Sequence, residues 1–369
     1  AGRSGERASE CNSAERNGER ASECNSTERN GERASECNSA ERNGERACGG
    51  DCAERCRGAQ KRDARGVVMI LCIGEILADM IGSKREQSMR FDCFAGGAPF
   101  NVACGIAKLG CGAAFFGCVG NDAVGRFLRE YADGVKGLQS RISVSPDRNT
   151  TLAFVTLSEE GERSFSFYRR HTADYALELS AAVPLLADAD IVHLGSLMLS
   201  EEAGRRFAEE VCSAVKESGK KLSFDVNYRE DIFASAEEAK RIYSAWLERA
   251  DILKLSDDEA DLFFGEERER SLLRLSEGRK VFVTLGRRGA RLYENGAFTE
   301  RPTVPAATVD TTGAGDAFYA GALSRIDAGE TDAGRLLLYA NVCGAIATER
   351  YGATAALPSA DEVNKRLNG

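Results

Sequence analysis

The first 66 residues contain no valine, isoleucine, leucine, methionine, phenylalanine, tryptophan, tyrosine or proline. Alanine and cysteine are the only apolar side chains left there, and a segment so composed cannot build a core. Long apolar runs are missing too: a membrane helix needs about 18 or more such residues, and the best run, Val67 to Ile73, stops at Gly74 and Glu75. The chain therefore reads as soluble, with no membrane partner. Basic excess is also absent, with 49 Lys plus Arg against 58 Asp plus Glu and a net charge of -9. Nonspecific nucleic-acid binding would need clustered Lys and Arg, so no nucleic-acid partner is expected. Histidine is scarce as well. With only His171 and His193 there is little material for a Ser-His-Asp triad or a multi-histidine zinc site, and His193, inside an apolar stretch, reads as a packed residue.

Disulfide spacings are missing despite 13 cysteines. Six lie in the first 66 residues, and seven (Cys72, Cys93, Cys104, Cys111, Cys118, Cys212, Cys343) are scattered singly, with no C-x-x-C pair anywhere. Isolated cysteines among apolar residues behave as small buried hydrophobes, which points to a reducing, cytoplasmic location. Cys48, Cys52 and Cys56 have a C-x3-C-x3-C spacing that matches neither zinc ribbons nor common iron–sulfur sets.

The first 66 residues do contain a repeat. The unit A-E-R-N-G-E-R-A-S-E-C-N-S begins at Ala14, returns at Thr27 with one change, and starts again at Ala40. It has no hydrophobic face, carries an Asn-Gly turn signal in each unit, and sits in a segment whose 13 basic residues balance 13 acidic ones. Residues 1–66 are expected to form a disordered, low-complexity extension, and residues 67–369 one folded, acidic unit. The extension reads either as a native appendage, with its spaced cysteines serving redox chemistry or a partner, or as foreign to the native protein. Met69, the first methionine, stands inside the first apolar run and favours the foreign reading, with a native start there. Thirteen acidic residues argue against a transit peptide, and the lack of a small-residue cleavage pattern argues against a signal peptide.

Beyond the extension, apolar runs at Val67–Ile73, Ala113–Val119, Asp190–Leu194, Lys221–Val226, Ile252–Leu255 and Lys280–Leu285 read as buried strands. Amphipathic stretches at Val102–Leu109, Ala203–Glu217, Ala236–Arg249, Ala317–Ile326 and Ala333–Glu349 read as helices between and after them. That alternation predicts an α/β fold with a mostly parallel sheet covered on both faces. Thr151–Leu157 and Arg163–Tyr168 alternate around Glu159-Glu160-Gly161, as an antiparallel hairpin does. With Met80–Phe94 it is predicted to form a small β-sheet lid, its segments near 78–97 and 151–169. Ligands in open α/β sheets bind at the carboxyl ends of the strands.

The chemistry is concentrated in Asp310-Thr311-Thr312-Gly313-Ala314-Gly315-Asp316. Two glycines around an alanine leave backbone N–H groups uncovered, and the helix that follows adds its positive dipole end, so the loop suits a phosphate or a developing anion. A carboxylate immediately after an anion hole is repelled by phosphate unless it takes a proton from an attacking hydroxyl. The plainer alternative is a glycine-rich turn opening an ordinary helix, with Asp316 as a first-turn acid.

This stretch resembles the second signature of the ribokinase-like (PfkB) sugar kinases, and Gly96-Gly97-Ala98-Pro99-Phe100-Asn101-Val102-Ala103, with Gly110, Gly120, Asp122 and Gly125, resembles the first. Asp225-Val226-Asn227-Tyr228-Arg229, Ser256-Asp257-Asp258-Glu259, and Thr284-Leu285-Gly286 with Gly289 resemble the intermediate motifs, with Val226 for the usual Pro and Ser256 for the usual Asn. The resemblance runs from Met69 to about Leu367. It implies a ribokinase-like three-layer α/β/α sandwich with a β-sheet lid, ATP as co-substrate and Mg²⁺ as cofactor. Asp316 would be the general base and the amides of Gly313, Ala314 and Gly315 the anion hole. Asn227 and Glu259 would organise phosphate and Mg²⁺ through waters. Thr284, Gly286, Gly289 and Asn341 would line the nucleotide, and Asp310 and Thr312 would stand by a monovalent cation such as K⁺.

Within the family, G-G-A-P-x-N-V-A together with Gly74-Glu75-Ile76-Leu77-Ala78-Asp79 is most similar to fructokinases. That resemblance implies D-fructose as acceptor and D-fructose 6-phosphate as product. Asp79, Gly97 and Asn101 would hold the sugar, with Arg169 at the pocket edge. Ribose, 2-keto-3-deoxygluconate or an aminoimidazole riboside stand as alternative acceptors, and a silent sugar-binding protein of the same fold as an alternative to an enzyme. Members of the family often pair through the lid sheet, so a homodimer is a further expectation.

Overall fold

The computed structural model describes residues 69–85, 87–157 and 163–368. The expected extension, residues 1–66, lies outside the described residues, as do Val67, Val68 and the turn Glu159-Glu160-Gly161.

The first strand, β1 (Met69–Ile73), is buried along its whole length. Its side chains alternate between two cores: Met69, Leu71 and Ile73 enter one cluster, Ile70 and Cys72 the other. Such a strand can lie only inside a sheet covered on both faces, which is why it reads as a continuous apolar run. Further along the chain come β2 (Leu77–Arg85), β3 (Ser88–Gly96), β4 (Gly112–Gly120), β5 (Leu138–Ser145), β6 (Leu152–Leu157), β7 (Arg163–Tyr168), β8 (Ala189–Leu194), β9 (Lys221–Asp225), β10 (Ile252–Ser256), β11 (Lys280–Thr284), β12 (Ala290–Glu294) and β13 (Ala297–Arg301).

Nine strands form the main sheet in the order β13-β12-β11-β10-β9-β8-β1-β4-β5. From β11 to β5 every neighbour is parallel, and helices pack on both faces. The sheet is thus mostly parallel, as expected, with one antiparallel edge where β12 and β13 run against their neighbours. Their two-residue turn, Asn295-Gly296, has φ of 52° and 72°, the left-handed pair that an Asn-Gly hairpin turn adopts.

The second sheet has the order β3-β2-β6-β7. It is mixed: β2 pairs antiparallel with β3 and parallel with β6, and β6 pairs antiparallel with β7. The expected lid therefore exists as one four-stranded sheet. Register places Asp79, Phe94, Ala153 and Phe167 side by side on one of its faces. Phe91, Phe154 and Tyr168 form a row on the other, with ring centroids 4.9 Å apart at both contacts.

Two helices bring distant segments together. Ala98–Lys108 packs against Ala314–Asp327 with Gly105 facing Ala320, where a Cβ on residue 105 would stand 2.6 Å from the Ala320 Cβ. Among the described residues all seven cysteines are free thiols, and no helix is long and apolar enough to cross a membrane.

Candidate active site

The helix carrying Asp316 begins at Ala314, three residues before the periodicity suggests, so Gly313 is its N-cap. Gly313 has φ 75°, and a Cβ there would stand 3.0 Å from the Ala353 backbone. Both the left-handed conformation and the space require glycine. The orphan N–H groups of this first turn are the electropositive feature of the loop. One of the three expected amides is engaged: Ala314 N donates to Thr311 O at 3.2 Å.

Asp316 lies in that first turn, and its Oδ2 accepts from Asn101 Nδ2 at 2.8 Å. Burial pushes its carboxyl up to about 6, although the Asn101 bond favours the charged form. Asn101 is itself buried, and its Oδ1 has no protein partner. Beside it Gly97, at φ 111°, lets the chain pass so close to the segment that leads into β2 that a Cβ would stand 2.4 Å from Glu75 O. Asp79 lies against Gly96 across the β2–β3 pair. Burial pushes its carboxyl up to about 7, and the charge of Asp316 adds to the shift. Asp79, Gly97, Asn101 and Asp316 thus converge from the lid, the first glycine motif and the second.

Beneath the loop the strand ends carry charge. Lys254 Nζ donates to both carboxylate oxygens of Asp225, at 2.8 and 2.7 Å, and both side chains are buried. His193 is buried too, with Nδ1 3.1 Å from Ser223 Oγ, and burial lowers it to about 4, so it is neutral near pH 7. It is a packed residue, as its position in an apolar strand suggests. Asn227 follows β9 at φ 37°, a conformation that asparagine tolerates and most residues do not. Glu259 is engaged by backbone: Oε1 accepts from Tyr228 N at 2.6 Å and Oε2 from Ser256 N at 2.7 Å. Ser256, in place of the family's Asn, closes a capping box with Glu259.

A cavity of about 580 Å³ opens on the other side of the loop. Thr284, Gly286, Gly289 and Asn341 line it together with Pro305 and Phe318, and it reaches Ala314 and Gly315. Its volume is that of a small-molecule site. Gly289, at φ 105°, sits where a Cβ would meet Arg301 O at 2.1 Å. Asn341 Nδ2 donates to Arg301 O and Pro302 O at 3.1 and 3.2 Å, which fixes this amide to the wall. Asp310 Oδ1 accepts from Thr312 N and Thr312 Oγ1, both at 2.8 Å, and Oδ2 accepts from Gly352 N at 3.1 Å.

Arg169 is placed differently from a pocket-edge arginine. It is buried, donating from Nε and Nη2 to Asp174 Oδ2 at 2.9 and 2.5 Å and from Nη1 to Leu197 O at 2.6 Å. Asp174 also accepts from Thr151 Oγ1 and Thr172 Oγ1 at 2.5 and 2.6 Å. Arg169 follows β7 and Thr151 precedes β6, so one carboxylate clamps both legs of the lid. The Arg169–Asp174 clamp and Lys254 lie outside the matched motifs, and Glu75 and Asp225 lie inside motifs that assign them no role. Glu75 is buried with neither carboxylate oxygen partnered by protein, and burial pushes it up to about 7. The available signal was a charge set against apolar strand residues, as in Ile252-Leu253-Lys254-Leu255.

A parallel α/β sheet with a lid, a glycine-rich helix start, a carboxylate beside it and a cavity behind it define a phosphoryl-transfer enzyme for small acceptors. The chain belongs to the pfkB family of carbohydrate kinases, whose family model matches residues 68–360. It is 35% identical over 316 residues to fructokinase-1 of Zea mays, covering 81% of this chain and 98% of that protein. The structure of a Xylella fastidiosa fructokinase with bound ATP aligns at 30% identity with a TM-score of 0.75, covering 81% of this chain and 98% of that one. A Vibrio cholerae fructokinase in its fructose, ADP and calcium-bound form aligns at 29% identity with a TM-score of 0.70, again over 81% and 98%.

Proposed function

We propose that this chain transfers the terminal phosphoryl group of ATP to a hydroxyl of D-fructose, giving D-fructose 6-phosphate and ADP. The observation that carries the reading is Asp316: partly buried, bonded to Asn101, set at the start of a helix, and lying between Asp79 and the large cavity. The sugar hydroxyl loses its proton to Asp316 as its oxygen bonds to the γ-phosphorus. The bond from that phosphorus to the bridging oxygen breaks, and ADP leaves with the electron pair. A positioned base of this kind contributes about 10²–10⁴-fold, and the helix-start amides of Gly313 and Gly315, joined by that of Ala314 when it exchanges its bond to Thr311 O, oppose the negative charge on the phosphoryl oxygens.

Asp79, Gly97 and Asn101 hold the sugar, and Arg169 supports the site from below by fixing the lid to Asp174. Thr284, Gly286, Gly289 and Asn341 wall the nucleotide site, with Asn227 at its phosphate end. Glu259 and Asn227 offer oxygen donors of the kind Mg²⁺ takes through its hydration shell, and bound Mg²⁺ would neutralise phosphate charge. Asp310 and Thr312 suit a monovalent cation such as K⁺. The reaction belongs in a reducing compartment such as the cytoplasm, in keeping with the free thiols. The aromatic row of Phe91, Phe154 and Tyr168, on the lid face away from Asp79, is where a second copy would pair; a mass of one chain in light scattering would contradict that.

The acceptor is tested by a panel of fructose, ribose, 2-keto-3-deoxygluconate and an aminoimidazole riboside in a coupled ADP-release assay. Fructose is expected to give the highest kcat/KM, and a higher value for any other acceptor would replace it.

A further inference from the structure

The Lys254–Asp225 pair is out of keeping with its surroundings. Its neighbours in β10 are Ile252, Leu253 and Leu255, all buried, and both charged side chains are themselves buried. A buried ion pair is seldom more stable than an apolar pair of the same size, so stability gives weak grounds for it. Its placement is specific: Lys254 Nζ stands 3.5 Å from where a Cβ on Gly315 would be, with the Tyr319 ring centroid 5.9 Å away as a cation–π partner. Both residues belong to the first turns of the helix that carries Asp316, so the ammonium faces the positive end of a helix dipole. A cation held there by a single counter-ion makes sense if negative charge is to be stabilised above it.

We propose that Lys254 is a positioning residue for phosphoryl transfer: held by Asp225 beneath Gly315, its ammonium offsets the carboxylate charge that Asp225 sets beside the helix start carrying Asp316. The proposal rests on Asp316 being the base. The groups facing Asp316 come from several elements. Asn101 bonds it, Lys254 and Arg229 favour its charge, and Asp225 opposes it. Asp79 and Glu75 interact with it as like charges, Glu259 faces Lys254, and neutral His193 lies below beside Ser223. Among these the paired charges act in opposite senses, and that yields a signature no purely structural role produces.

Replacing Lys254 by Met removes the cation and leaves Asp225, so the acid limb of kcat/KM should move to higher pH by about one unit. Replacing Asp225 by Asn removes the opposing charge and should move the limb to lower pH. Lys254→Met should also cut kcat roughly tenfold or more while changing the fructose KM little, and Lys254→Arg should restore part of it. Carbon-13 NMR titration of the Asp316 carboxyl should follow the same two directions. That readout needs no turnover, so it separates this proposal from the base assignment: opposite shifts in the titration with no change in the rate profile would overturn only the latter. Lys254→Met is checked for folding by circular dichroism. Should it unfold, Asp225→Asn still decides, because an unmoved or upward Asp316 titration in that variant contradicts the proposal.

Discussion

Asn101 Nδ2 donates to Asp316 Oδ2 at 2.8 Å across 215 residues of sequence. This bond joins the first glycine motif to the second, and it exists because Gly105 and Ala320 are small enough for their helices to touch. Its polarity matters: an N–H donor stabilises the carboxylate and not the acid. Asn101→Ala should therefore raise the acid limb of kcat/KM and lower the plateau by roughly tenfold. A profile of unchanged midpoint, measured on folded protein, would mean the bond does not tune Asp316.

The pH dependence of the unaltered enzyme follows from the same carboxyl. A base must be ionised to accept a proton, and burial has raised Asp316 to about 6. Activity should rise with pH through that value and be lost below it. An acid limb near pH 4, the range of an ordinary exposed aspartate, would contradict the assigned environment.

Stability has the opposite sign. Glu75 is held at about 7, above the ordinary glutamate value, so between the two values the folded state binds more protons than the unfolded. Its contribution is full at low pH and is lost as pH rises through about 7. Glu75→Gln should raise the melting temperature at pH 8 by a few degrees and give no gain near pH 4. An equal gain at both would show that its ionisation carries no cost.

The lid clamp should be separable from chemistry. Arg169→Ala leaves Asp174 buried without its cation, a loss of about 3–5 kcal/mol. Arg169→Lys cannot reproduce the forked contact with Asp174 and Leu197 O. Both variants should lower the urea midpoint, and at permissive urea should raise the fructose KM more than they reduce kcat. A fall in kcat alone would place Arg169 at the reacting atoms.

Much of this arrangement is legible in the sequence, and the exceptions have physical reasons. The apolar runs locate six of the buried strands because β1 and its parallel neighbours are covered on both faces. The β12–β13 hairpin escapes, although Asn295-Gly296 marks it, because Ala297–Arg301 has only one half-buried position and lacks an apolar pattern. Asp316, Asn101 and Asp79 are found through spacing and glycine chemistry. Glycines with constrained φ leave a trace that partnered charges do not. Arg169 looks like an ordinary surface arginine until Asp174, five residues later, is seen to hold it. Lys254 and Asp225 are 29 residues apart, and only the parallel register of β9 and β10 brings them side by side.

The most direct test of the account is Asp316→Asn. The amide keeps the shape and removes the base, so ATP-dependent formation of fructose 6-phosphate should fall by about 10²–10⁴-fold with ATP and sugar still binding. Product followed by phosphorus NMR in the variant at a rate near that of the unaltered enzyme would contradict it.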